Sequence, residues 1–214
     1  MQKAKHLLSQ KSSYDNTMLW AACCLAFFGF LRVSEFTVPT QHDYDASTHL
    51  SLSDISVDNR NNPQLIKVHI KQSKTDPFRQ GTDIYLGATD NSICPISGLI
   101  PYLSIRGAQP GPLFITKDHR YLTRLLFSQK LDTLLDHLQI NTQQYNTHSF
   151  RIGAATTAAQ ALIPDAHIKM LGRWRSDAYQ QYIRTPPRQL AHLSKRLVSA
   201  PISQGGSSHA TSSH

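Results

Sequence analysis

Apolar positions along this chain change period twice. Residues 17–30 (TMLWAACCLAFFGF) are almost continuously apolar and rich in small side chains, which predicts a helix buried on all sides, with Asp15 or Asn16 as its N-cap. From Leu50 the blocks shorten. Leu52, Ile55 and Val57 predict one strand. The partial alternation of LIKVHIKQ, with Leu65, Ile66, Val68 and Ile70, predicts a second, and residues 83–86 a third. The polar stretch SKTDPFRQG separates the last two, so the expected unit is a small antiparallel sheet with a basic hairpin. After Cys94 the pattern turns helical. Residues 95–105 form a helix opened by proline, and residues 122–138 carry Leu125, Leu126, Leu131, Leu134, Leu135 and Leu138 at helical spacing. Residues 148–162 are Ala-rich. Pro164 opens a further helix that Gly172 ends, and Ser176 caps another over 177–184, broken by Pro186 and Pro187. Residues 188–198 make a last basic amphipathic helix. The pattern predicts an α+β fold, mainly helical with a small antiparallel sheet.

Composition sets the limits of that domain. With 40% hydrophobic residues in 214 there is enough material for one core. Residues 199–214 (SAPISQGGSSHATSSH) have almost nothing to bury and are expected to be a disordered tail. The expected organisation is a lead-in over 1–14, a domain over 15–198, then the tail. The formal net charge of +8 favours a polyanionic partner. No segment approaches the roughly 20 apolar residues of a membrane span, and the first residues lack an apolar stretch of signal-peptide length, so an intracellular protein is expected. Cys23 and Cys24 are adjacent on the apolar helix and Cys94 stands alone. That spacing suggests neither disulfides nor zinc, only small buried hydrophobes.

Three segments carry candidate chemistry: GFLRVSE (29–35), HSFR (148–151) and LGRWRSDAYQQYIR (171–184). In this order, with a lysine-bearing hairpin after the first, they resemble tyrosine recombinases and phage-type integrases. The last segment is most similar to the recombinases of eukaryotic Crypton- or DIRS-type mobile elements. The resemblance covers about residues 15–198. It implies the catalytic fold of a DNA breaking-rejoining enzyme acting on double-stranded DNA, in which a tyrosine attacks a phosphodiester and holds the 3′ phosphate, with no metal, cofactor or ATP. Such a site needs planar guanidinium forks for the phosphate oxygens, an imidazole to donate or move a proton, a lysine to protonate the leaving 5′ oxygen, and a phenol nucleophile.

On that resemblance Arg32, Lys74, His148, Arg151, Trp174 and Tyr182 are the catalytic candidates, with Glu35 and Arg173 in support. Each has a plainer reading. Arg32 could be a surface arginine at a helix end, and Glu35 a solvated carboxylate. His148 and Arg151 share a helix face at a helix start, where backbone N–H groups also favour an anion. An exposed arginine behind a helix cap is the bland alternative. Lys74 has rivals in Lys67 and Lys71. Tyr182 has a rival in Tyr179, three residues earlier on the same face, and helix tyrosines are usually packing residues. Family members usually carry histidine or tryptophan directly after the glycine, nine positions before the tyrosine. Here Arg173 stands nine before Tyr182 and Trp174 eight before it. The favoured assignment makes Trp174 the packing residue and indole donor, and Arg173 a phosphate contact.

Relatives also carry an N-terminal helical domain that closes on DNA from the other side. The chain starts shortly before Arg32, so that clamp is expected to be missing and to come from elsewhere. Recombination requires several protomers, and residues 188–198 are the candidate for docking between them, or else for folding back on their own domain. The competing functions are a domesticated DNA-binding module without chemistry and a type IB topoisomerase. In a eukaryote the expected compartment is the nucleus.

Overall fold

The computed structural model describes residues 1–183 except 11, 12, 74, 75, 77 and 79, and at 144, 178 and 182 the backbone alone. Lys74, the 188–198 segment and the 199–214 tail therefore lie outside the described residues.

The apolar helix, α2, runs Tyr14–Phe28, and every residue from Met18 to Ala26 on it is buried. Its cap is Ser13, whose hydroxyl accepts the Asn16 N–H at 3.2 Å, rather than Asp15 or Asn16. The apolar run begins a full turn inside the helix, which displaces the apparent start. Asp15 is occupied elsewhere: it accepts the Lys117 N–H at 2.9 Å and pairs with Lys130 at 2.8 Å, and both contacts hold its carboxyl below the usual range. The lead-in is itself helical. α1 (Gln2–Gln10) packs on α2 and buries Leu8.

The sheet is antiparallel in the order β1-β2-β3, with β1 at Ile55–Val57, β2 at Leu65–Ile70 and β3 at Thr82–Gly87. Val68 lies between Ile55 and Ile84, and Lys67 pairs with Tyr85. Ile66, Val68, Ile70 and Leu86 face the core, whereas Tyr85 stands outward. Leu52, expected in the first strand, lies in a 3-10 turn, Leu52–Asp54. There Asp54 takes the Ser51 N–H and hydroxyl, each at 2.7 Å, so the short S-x-x-D turn wins over strand pairing.

Helix α3 (Pro95–Arg106) lies along α2. The approach is close enough that a Cβ on Gly98 would sit 2.5 Å from Cys24 Sγ. All three cysteines are buried thiols, and desolvation pushes Cys23 up to about 12. Helix α4 (Arg124–His137) starts at Thr123, whose hydroxyl accepts the Leu126 N–H at 3.1 Å. α2, α3, α4 and the inner sheet face close one core. Two further helices, α5 (Ser149–Gln160) and α6 (Asp165–Leu171), close a smaller one around Phe30, with Ala154, Ala155, Ala158, Ile168 and Tyr179. Among the described residues no helix is long and apolar enough to cross a membrane.

Candidate active site

The site forms where the end of α2 meets α5 and the turn after α6. α2 stops at Gly29, where a Cβ would come within 2.7 Å of the Leu25 carbonyl and 2.8 Å of Ile84 Cδ1, so only glycine fits. Phe30 then turns the chain through the left-handed region, at φ 51°. A 3-10 turn (Val33–Glu35) follows, and Glu35 reaches back across it. Its Oε2 accepts the Arg32 backbone N–H at 2.9 Å, and its Oε1 accepts from Arg32 Nη1 at 2.9 Å. Glu35 is buried, whereas the Arg32 side chain keeps 18% of its surface.

α5 brings the second cluster. Asn146 and Ser149 build its entry: Asn146 Oδ1 accepts the His148 N–H at 2.8 Å, and Ser149 Oγ accepts the Asn146 N–H at 3.0 Å. His148 sits at the N-cap, half-buried, with Arg151 one turn on. Burial lowers the His148 pKa, and the charges of Arg151 and Arg32 lower it further, so both guanidiniums act on this imidazole. Arg151 is 1% exposed. Its Nη1 donates to the Phe30 carbonyl and its Nη2 to the Gly172 carbonyl. Its guanidinium lies 4.2 Å from the centre of the Trp174 ring.

The GRW turn explains itself sterically. A Cβ on Gly172 would lie 1.6 Å from Trp174 Cζ3, so the indole folds flat against the glycine. Arg173 carries the left-handed step, at φ 54°. Its side chain points inward, 10% exposed, with Nη2 on Glu35 Oε2 at 2.9 Å and Nη1 on the Gly29 carbonyl at 3.1 Å. Trp174 meets Phe30 edge-on at 6.2 Å and Tyr179 at 5.8 Å between ring centres.

The structure thus gathers Arg32, Glu35, His148, Arg151, Arg173 and Trp174 into one place. Three guanidiniums against one carboxylate leave the site cationic with the imidazole neutral. Tyr179 is 3% exposed in the smaller core, and burial pushes its phenol up. Tyr182 ends the 3-10 segment Asp177–Tyr182, and its side chain is outside the described residues, as is all of Lys74. The rivals of Lys74 are both in ion pairs. Lys67 meets Asp83 at 3.4 Å. Lys71 meets Asp54 at 2.7 Å and also donates to the carbonyls of Ala46 and His49, which makes it a strut between sheet and loop. The sequence reading missed the acceptors at the centre of the site, the Gly29, Phe30 and Gly172 carbonyls. The two glycines flanking left-handed corners were the available signal.

No family model and no curated protein matches the sequence. Solved structures do match in fold. The XerH site-specific recombinase, in a post-cleavage complex with palindromic difH substrate, superposes with a TM-score of 0.67 at 14% identity, over 92% of this chain and 51% of that one. The XerA recombinase gives 0.64 at 16% identity, over 92% and 62%. The Tn1549 transposon integrase, residues 82–397 in complex with transposon right end DNA, gives 0.58 at 13%, over 89% and 62%. The chain spans between about half and three-fifths of the length of these structures. Its fold is that of the tyrosine recombinase catalytic domain.

Proposed function

We propose that this chain is the catalytic domain of a site-specific DNA recombinase or integrase, which cuts and rejoins double-stranded DNA through a 3′-phosphotyrosine. The observation that carries this reading is the meeting of Arg32, His148, Arg151 and Trp174, from three separated sequence segments, within a fold shared with DNA recombinases. In the proposed reaction Tyr182 gives its phenolic proton to the unprotonated nitrogen of His148 as it attacks the phosphorus, and the 5′ oxygen leaves with a proton from Lys74. Arg32 and Arg151 meet the charge that gathers on the non-bridging oxygens. His148, held neutral by burial and by its cationic neighbours, donates its N–H to one of those oxygens. The phosphoester energy is kept in the protein–DNA bond, so the reverse attack by a 5′ hydroxyl reseals the strand without ATP. Several protomers act together, and a DNA-clamping domain closes the other side of the duplex.

The test is a trap for covalent protein–DNA adducts on supercoiled plasmid, comparing the wild type with Tyr182→Phe and Tyr179→Phe. The expected result is an adduct that is lost in Tyr182→Phe alone and is indifferent to EDTA. Loss in Tyr179→Phe alone would reassign the nucleophile.

The second reading is a DNA-binding module without chemistry. Arg151 favours it, since an arginine at 1% exposure that donates to two carbonyls already does structural work. Salt-sensitive DNA binding with no adduct on any substrate would select it.

A further inference from the structure

Arg173 stands out because it occupies the site yet faces away from solvent. Arg173 is 10% exposed and anchored to main chain: to the opposite corner through Nη1 on the Gly29 carbonyl at 3.1 Å and Nη2 on the Phe30 carbonyl at 3.5 Å, and to its own turn through Nη1 on the Leu171 carbonyl at 3.4 Å. Its shortest side-chain contact is Nη2 to Glu35 Oε2 at 2.9 Å. The other oxygen of that carboxylate holds Arg32 Nη1 at 2.9 Å. One carboxylate therefore spans two guanidiniums, one pinned to backbone and one, Arg32, with a face toward solvent.

We infer that Arg173 is a positioning residue that acts on Arg32 through Glu35, rather than a contact to DNA phosphate. This deepens the recombinase reading and rests on it for its catalytic consequence. The physical reason is twofold. A carboxylate shared with a fixed second cation cannot rotate away, so Arg32 is held in one orientation for a planar, two-pronged contact. Glu35 paired with Arg32 alone would also cancel most of its charge toward an incoming phosphate. Arg173 takes a share of that carboxylate, and the pair Arg32–Glu35 stays cationic in sum with it. The left-handed φ of Arg173 and the Trp174-filled glycine beside it are what aim this side chain at the α2 corner.

The experiment compares the full chain with Arg173→Met, Arg173→Lys, Arg32→Ala and the Arg32→Ala/Arg173→Met double variant, with two readouts. In the free protein, NMR titration of His148 reports on Arg32, whose charge is one of those that lower its pKa. Arg173→Met should move that titration back toward the ordinary imidazole value, and Arg173→Lys should restore it. In single-turnover cleavage, Arg173→Met should slow the reaction about 10- to 100-fold, by analogy with the loss when the group that orients a metal ligand is removed. DNA affinity and its salt slope should hold. The double variant should be no slower than Arg32→Ala alone, since an effect routed through Arg32 vanishes with it. An unmoved His148 titration overturns the inference whether or not the protein cuts DNA. So does a salt slope reduced by about 0.9, the signature of one lost phosphate contact, or an additive double variant. If Arg173→Met does not fold, Arg173→Gln takes its place under the same criteria. A wild type that forms no adduct counts against the proposed function alone, because the titration decides the positioning role independently.

Discussion

At the residue scale, His148 is the group whose charge state the site controls most visibly. Burial and the two guanidiniums lower its pKa below the ordinary value of about 6.5, so the imidazole is neutral at pH 7. The sign of the linkage follows. As pH falls below 6.5 the unfolded chain takes up the proton before the folded one, so stability is full above that value and is lost down to the folded pKa. The thermal midpoint of the wild type should therefore drop more between pH 7 and pH 5 than that of His148→Gln; parallel curves would refute the shift. A bound phosphate supplies the opposite charge, so DNA should raise this pKa and shrink the difference. Arg151 makes a different prediction. Arg151→Lys keeps the charge but cannot serve the Phe30 and Gly172 carbonyls and a phosphate together. Cleavage should fall by about a hundredfold, the typical loss of one preorganised donor, with adduct yield as the measure. That Arg32, His148 and Arg151 belong together was legible because each stands in a short motif. The direction of Arg173 was not, since residue type cannot say whether a guanidinium points outward or back at a carboxylate 138 positions away.

At the scale of elements, the sequence located most helices and strands within a few residues, because their apolar periods are long and uninterrupted. Its errors have local causes. The first helix was read as a lead-in because Leu7 and Leu8 alone do not mark an apolar stripe; α1 becomes a helix by packing on α2. The cap of α2 was placed too late because polar residues fill its first turn. Leu52 was given to a strand because apolar periodicity cannot see the Ser51–Asp54 turn that captures it. The contact of α2 with α3 is where element packing can be tested away from the site. Gly98→Ala places a methyl against Cys24 Sγ, and overpacking of this kind costs about 1–3 kcal/mol. Denaturant unfolding should show that loss. The double variant with Cys24→Ala, which removes the sulfur, should recover most of it; no recovery would mean that the backbones themselves cannot part.

At the scale of the whole molecule, the fold and the net charge of +8 point the same way. Cations aligned for a polyanion release counterions when they bind, so the observed DNA affinity should fall linearly on a log–log plot against salt, by about 0.9 for each phosphate engaged. A slope near zero between 50 and 200 mM salt would exclude phosphate-dominated binding, and with it both functional readings. The architecture was legible in outline because a helix, a small sheet and a run of helices in that order admit few packings. The second core around Phe30 was not, since it is assembled from three alanines, Ile168 and two aromatic rings with no strong pattern of their own.

The stack of Trp174 on Arg151 also gives the protein an internal optical gauge. The sequence holds two tryptophans, and Trp20 is locked in the larger core at 8% exposure, a steady background. Trp174 lies half-buried over a guanidinium 4.2 Å from its ring, where the emission of an indole responds to a change in the neighbouring charge. Changes in intrinsic fluorescence when DNA is mixed with the protein would therefore time the rearrangement of the arginine cluster itself, before any bond is cut and without a label.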